Sequence, residues 1–201
     1  MAAIQKQHGE HLARKVRLRQ KILADFQPGA AYVPFIGDGD LSAAAYPDWR
    51  IYGVDIDSGR IEVAGSRLSD IDLLIADCDE GWPFAAKIEA RFNIVDADSY
   101  AYPYGAIRAF WEESKKADRI AIFGTDAQRM AIKRAGSYRN PDGQTIRFSS
   151  RAETRVVYNA YWRKIIKPWL ADLVSPDYRL SSIRRFERAE MLYWGAVAEK
   201  I

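Results

Sequence analysis

A single cysteine, Cys78, stands in 201 residues, so no disulfide can form within the chain. The expected compartment is therefore a reducing one, the cytoplasm. Histidine is almost as scarce: His8 and His11 are the only two, both near the N-terminus. A zinc centre built from Cys and His, or a Ser-His-Asp triad in the core, is not expected. No apolar run reaches the ~18 residues of a membrane span. The opening stretch MAAIQKQHGEHLARKVRLRQK is polar and basic, without the apolar segment of a secretory signal. Internal repeats and low-complexity tracts are absent as well.

What is present is ordinary globular composition, 48% apolar and 28% charged, which argues against disorder. The length suits one domain with a small appendage. The natural division is a basic N-terminal helix over 1–28 and a main domain over 29–201. The net charge of +3 is small, but its distribution is uneven. Residues 1–25 carry six basic and two acidic side chains, 37–100 carry five basic and fourteen acidic, and 129–170 carry ten basic and two acidic. The two basic blocks are either solvated helix faces or a surface for a polyanion.

Hydrophobic spacing predicts a helix over 4–26, with Leu12, Val16, Arg19, Leu23 and Phe26 on one stripe that Leu18 and Ile22 widen. Pro28-Gly29 ends it. Short apolar runs at 30–36, 50–55, 71–76, 92–96 and 119–124 read as strands. Helices are expected at 41–46, 59–68 and 104–117 between them. This alternation predicts a doubly wound, mostly parallel α/β sheet. Ser150 and Glu153 are in capping-box register at the start of a late helix running to about Leu173, with Pro168 placed to kink or split it. The runs 178–186 and 190–200 lie too close for a crossover helix, so they should close the sheet as an antiparallel hairpin.

Three features fall at successive strand ends. Gly37-Asp38-Gly39 follows the first strand and opens a helix, where glycines admit a ligand to the backbone and helix N–H groups favour an anionic group. The third glycine of the dinucleotide fingerprint is missing, since position 42 is Ser42, which counts against a nicotinamide cofactor. Asp55 lies 18 residues after Gly37, at the end of the second strand, where a carboxylate accepts hydrogen bonds from both ribose hydroxyls of an adenosine. Asp57 competes for that role. Asp77 ends the third strand and is suited to an exocyclic adenine amine, with Asp79 as its competitor.

The order of these features and the closing hairpin resemble the class I S-adenosylmethionine (SAM)-dependent methyltransferases over 30–200. VPFIGDGDLS is similar to the P-F-x-G-x-G motif of nucleic-acid amino-methyltransferases. DADSYAYP at 96–103 resembles the D-x-D-P-F-G-x-P stretch of the tRNA guanine N2-methyltransferases, and more loosely the D-P-P-Y motif. FGTDAQRMA at 123–131 resembles a further stretch of the same tRNA family. Ser99 stands where both motifs have proline, Ala101 stands where the tRNA family has glycine, and that family's extra C-terminal domain has no counterpart.

The resemblance implies a seven-stranded Rossmann-like sheet of order 3-2-1-4-5-7-6 and SAM as cofactor. Phe35, Gly37, Asp38, Gly39, Asp55, Ile56, Asp77, Cys78 and Asp96 are the implied cofactor residues. The implied catalytic pair is Asp98, which accepts an amine hydrogen from a poorly nucleophilic base nitrogen, and Tyr100, which stacks on the base. The expected activity is N-methylation of a nucleobase, with RNA favoured over DNA as partner, no membrane, and a homo-oligomer or partner subunit to supply target recognition. The alternatives are methylation of a small molecule or a protein, or a non-catalytic SAM-binding subunit.

Overall fold

In the computed structural model, residues 2–78, 88–99, 102–188 and 190–201 are described, with the side chains of 2–8 left out. Seven strands form one sheet of order β3-β2-β1-β4-β5-β9-β8, as expected. They are β1 (Ala30–Pro34), β2 (Arg50–Asp55), β3 (Ile71–Ile75), β4 (Phe92–Ala97), β5 (Lys116–Asp126), β8 (Tyr178–Arg188) and β9 (Met191–Lys200). The first five run parallel, and β9 inserts antiparallel between β5 and β8, pairing Asp126 with Leu192 and Arg119 with Glu199. β1 is buried at all five positions, the pattern of a central parallel strand covered on both faces.

One face carries Tyr32, Phe92, Phe110, Trp194 and the apolar positions of α4 (Tyr104–Glu113), α6 (Arg151–Tyr161) and α7 (Lys167–Val174). The other carries Leu18 and Ile22 of α1 (Ala2–Leu23), Tyr46 and Trp49 beyond α2 (Asp40–Ala45), and Ile61 and Leu68 in and just after α3 (Ser58–Arg67). The strand order reverses between β1 and β4, and α/β sheets hold ligands at the carboxyl side of that switch point.

Three local details depart from the sequence expectation. α4 stops at Glu113 rather than at 117, because Lys116 already belongs to β5 and its ammonium donates to the Trp111 and Ser114 carbonyls at 2.6 and 2.8 Å, capping the helix end. The late helix is capped by Ser150 as expected, the hydroxyl accepting from the Glu153 N–H at 3.2 Å, and it departs further along. It then widens into a π-helical turn over Trp162–Ile166 before α7 begins. Pro168 sits in the first turn of α7, directly after the π turn, where the sequence places a kink or split of the helix. Finally, α5 (Gln128–Ala135) and a small hairpin, β6 (Ser137–Arg139) with β7 (Thr145–Arg147), fill the stretch after β5. Asn140 Oδ1 turns that hairpin by accepting from the N–H groups of Asp142 and Gln144, and Gly143 follows at φ 85°.

Candidate active site

A cavity of about 720 Å³ opens at the carboxyl edge of the sheet, over the switch point. Phe35 and Asp55 line one end of it, from the ends of β1 and β2, with Arg60 of α3 beside them. Asp98, Ser99 and Thr125 line the middle, from the ends of β4 and β5. Met130 and Arg134 of α5 and Met191 and Tyr193 of β9 form the far wall, and His11 and Lys15 of α1 close the side.

At the first end, Gly37 is left-handed at φ 55°, and its N–H donates to Asp55 Oδ2 at 2.9 Å. The Asp57 N–H donates to Asp55 Oδ1 at 3.0 Å. Each carboxylate oxygen thus has one backbone donor and keeps further lone-pair capacity. Asp57 caps α3, accepting from the Gly59 and Arg60 N–H groups, and is not among the residues lining the cavity. Gly39, at φ 76°, serves packing: a Cβ there would approach Leu68 Cδ1 to 3.1 Å and Ala64 Cβ to 3.3 Å. Phe35 is a non-glycine residue at φ 61°, a strained conformation of the kind that concentrates at ligand sites. Its N–H donates to the buried Cys78 thiol sulfur at 3.3 Å. Asp38 and Asp77 are exposed and Ile56 is 69% exposed, and none of the three is among the residues lining the cavity.

The middle is built on ion pairs from α1. Arg19 and Lys15, one helical turn apart, reach Asp96 and Asp98, two residues apart on β4 and its exit. Arg19 Nε and Nη2 donate to the two Asp96 oxygens at 2.7 and 2.6 Å, and the Tyr46 hydroxyl adds a third donor at 2.5 Å. Arg19 and Asp96 are fully enclosed. Burial opposes both charges. The Asp96 carboxylate more than offsets that for Arg19, whose pKa is held above its ordinary value. Lys15 Nζ donates to both Asp98 oxygens at 2.9 and 2.6 Å, and the Thr125 hydroxyl donates to Oδ1. Burial pushes the Asp98 carboxyl up, but Arg19, Lys15 and Thr125 together outweigh it and hold the group below the usual carboxylate range. Asp96 is therefore set back behind Arg19, and only Asp98 of the two faces the cavity. Tyr100 lies outside the described residues, as does Asp79. Ser99, in the place of the motif proline, accepts from the Tyr102 N–H at 2.7 Å and so turns the loop by a side-chain hydrogen bond.

Asp126, at the end of β5, is wholly buried away from the cavity. It accepts from the Tyr104 hydroxyl, from the Tyr161 hydroxyl at 2.8 Å and from the Gln128 N–H at 2.5 Å. Burial pushes its carboxyl up to about 6 despite those donors. It ties β5 to α4, α5 and α6 rather than meeting a ligand.

The far wall was not anticipated. His11, expected on the surface, meets Tyr193 across the cavity: Nε2 lies 2.9 Å from the phenol oxygen, and the rings are edge-on at 5.0 Å. Lys15 Nζ stands 5.5 Å from the Tyr193 ring centroid. The sequence offered one signal, since His11, Lys15 and Arg19 recur at a spacing of four on the helix that the apolar stripe had defined.

Neither a protein-family model nor a curated protein sequence matches the chain. Solved structures do. The magnesium protoporphyrin IX methyltransferase of Synechocystis PCC 6803, with S-adenosylhomocysteine (SAH) bound, superposes with a TM-score of 0.57 at 13% identity, covering 95% of this chain and 83% of that one. The N-methyltransferase NodS of Bradyrhizobium japonicum WM9 with SAH gives 0.57 at 12% identity, over 95% and 86%. The plantazolicin methyltransferase BpumL with SAH gives 0.54 at 12% identity, over 95% and 84%.

These similarities correct the expectation of a nucleobase substrate, of an RNA or DNA partner and of nearness to the tRNA guanine N2-methyltransferases: proteins of porphyrin and plantazolicin methylation stand here instead. The structure supplies a physical reason. Part of the basic charge that suggested a polyanion surface is engaged with the chain's own carboxylates, for Lys15, Arg19 and Arg129 largely buried and for Lys133 and Arg134 at the surface. Lys15 and Arg19 hold Asp98 and Asp96, Arg129 pairs with Glu187, and Lys133 and Arg134 face Glu190. Among the described residues, no helix is long and apolar enough to cross a membrane. The seven-stranded sheet ending in an antiparallel hairpin is the Rossmann-like fold of the SAM-dependent methyltransferases.

Proposed function

We propose that the chain is a SAM-dependent methyltransferase whose acceptor is a small molecule, working in the cytoplasm, where its single buried cysteine needs no oxidative partner. The observation that carries this reading is the cavity itself: one enclosure joins an adenosine-type end at Asp55 to an apolar wall of Met130, Met191 and Tyr193. The residues present fit the cofactor. Asp55 has unused acceptor capacity for two vicinal hydroxyls, and Gly37 leaves its loop open, since a Cβ there would meet only Arg60 Nη1 at 3.7 Å. When bound, SAM supplies an electrophilic methyl group on a sulfonium.

The chain's own residues do the rest. Asp55 holds the ribose, the Gly37-Asp38-Gly39 loop gives backbone approach and Phe35 flanks the adenine, while Ile56, Asp77 and Cys78, which do not line the cavity, are assigned to the adenine by the resemblance alone. Asp96 acts through Arg19, by fixing the helix that closes the site. Asp98, charged and held from behind by Lys15 and Thr125, accepts a hydrogen bond from the acceptor and aims it, and Tyr100 keeps the stacking role that the resemblance implies. Such positioning is most of what an in-line displacement requires. A porphyrin- or plantazolicin-sized acceptor, as the similar structures take, suits the apolar wall better than a nucleic-acid backbone does.

The test is calorimetric titration of SAM and SAH, followed by transfer of a labelled methyl group. SAM is expected to bind, and Asp55→Ala should weaken it by about 1–3 kcal/mol, the scale of hydrogen bonds to a charged group. Label should appear in the low-molecular-mass fraction of a cell extract. Absence of binding to either cofactor form would remove the proposal.

A further inference from the structure

We infer that His11 and Tyr193 form the proton-accepting pair of the site, and that the acceptor is therefore a molecule methylated at a hydroxyl or amine that must lose its proton. This rests on the methyltransferase reading above and adds to it the group that receives the proton. His8 and His11 are the chain's only histidines, and His11 is placed in the cavity by a 182-residue reach to Tyr193. Tyr193 is almost fully enclosed, and its ring is stacked on Phe186 at 4.6 Å, so its hydroxyl has a fixed direction. The pair stands on the wall formed by Met191 and Met130, where a flat apolar acceptor would lie.

Asp98 is the rival base, and the geometry disfavours it. Its two oxygens already accept three hydrogen bonds, two of them from a lysine. A carboxylate so held is a weak base. An imidazole titrates near neutral pH, where a proton acceptor works best. The charged and titratable groups around the pair are Lys15 on the same helix, Asp98 beyond β4 and Arg134 on α5, with Asp55 and Arg60 lining the same cavity.

The balance closes without a further reactant. The acceptor's O–H or N–H proton passes to the Tyr193 oxygen while the Tyr193 proton passes to His11 Nε2. The new bond to the methyl carbon forms as the carbon–sulfur bond breaks, its electron pair leaving on sulfur. One positive charge disappears from the sulfonium and one appears on the imidazole.

The experiment needs no known acceptor. In a His8→Gln background His11 is the only histidine, so its imidazole can be titrated by NMR in the whole chain alone, with SAM and with SAH. A sulfonium sharing the cavity disfavours the imidazolium. The His11 titration is expected about one to one and a half pH units lower with SAM than with SAH, the scale of one unit charge about 8–12 Å away at an effective dielectric of about 20. Tyr193→Phe keeps the ring stack and removes the donor to Nε2, and should move the His11 titration upward. Identical titrations with SAM and SAH, both shown bound by calorimetry, would overturn the inference, as would a Tyr193→Phe change that moves it down or not at all. Failure of both ligands to bind would instead overturn the methyltransferase reading.

Discussion

Replacing Arg19 by alanine is the sharpest perturbation the fold allows. The guanidinium and the Asp96 carboxylate are both fully enclosed, joined by two hydrogen bonds of 2.6 and 2.7 Å. Arg19 Nη1 also donates to the Lys15 carbonyl at 3.2 Å, and the guanidinium lies 5.2 Å from the Phe123 ring centroid. Deleting it strands a buried carboxylate with the Tyr46 hydroxyl as its remaining side-chain donor. Breaking a buried pair from one side costs about 3–5 kcal/mol, because the orphaned charge keeps its desolvation penalty. Removing both charges costs less. Urea unfolding should therefore show Arg19→Ala as roughly 3–5 kcal/mol less stable than the parent, with Arg19→Ala/Asp96→Asn recovering a part of that loss. The cycle measures the coupling directly. A single variant within about 1 kcal/mol of the parent would refute the reasoning, since that is the range of an exposed pair. It would mean that Leu18, Ile22 and the Lys15 and His11 contacts hold α1 to the sheet without help from Arg19.

Stability should also carry two opposite pH limbs. Asp126 is pushed up to about 6 in the fold, so between its unfolded value near 4 and about 6 the native state binds more protons, and stability falls as pH rises across that window. At about two pH units the loss is roughly 3 kcal/mol at most, and Asp126→Asn should flatten it in unfolding curves taken from pH 4 to 7. Asp98 is held low, so its contribution is present above its unfolded value and disappears as pH falls below about 4. Lys15→Met removes the nearest stabilising cation, and the Asp98 carboxyl followed by NMR should then titrate at higher pH. Gly124→Ala should destabilise by about 1–3 kcal/mol in thermal unfolding, because the new methyl would fall 2.6 Å from Trp194 Cε2 in a packed core.

The parallel strands were legible because each is a short apolar run bounded by turn residues, and the closing hairpin because 178–200 leaves no length for a crossover. Asp55 was legible for the same reason: a carboxylate at a strand end shows in one dimension. The far wall was not. His11 and Tyr193 are brought together only by the sheet's antiparallel last insertion, which no local pattern encodes. Arg19 left a trace as the lone cation on the apolar stripe of α1, and such a residue, when buried, needs an anion opposite. The β6–β7 hairpin was missed because three-residue strands give no periodicity, although Asn140-Pro141-Asp142-Gly143 is a turn signal. The charge blocks misled because a sum over a segment cannot separate cations facing water from cations that hold carboxylates.

The insertion of β9 between β5 and β8 bears on the order of folding. The half of the sheet from β3 to β5 can collapse from contacts between successive βα units, at modest loop-closure cost. The wall that carries Tyr193 and Met191 has to wait until β8 and β9 have paired and entered the sheet, and the bond to His11 then closes a loop of almost the whole chain. The adenosine end of the cavity is thus an early structure and the acceptor end a late one. In native-state hydrogen exchange, the same asymmetry would make the β9 amides facing the cavity open at lower free energy than those of β1 and β4, so that the two ends of one cavity belong to different cooperative units.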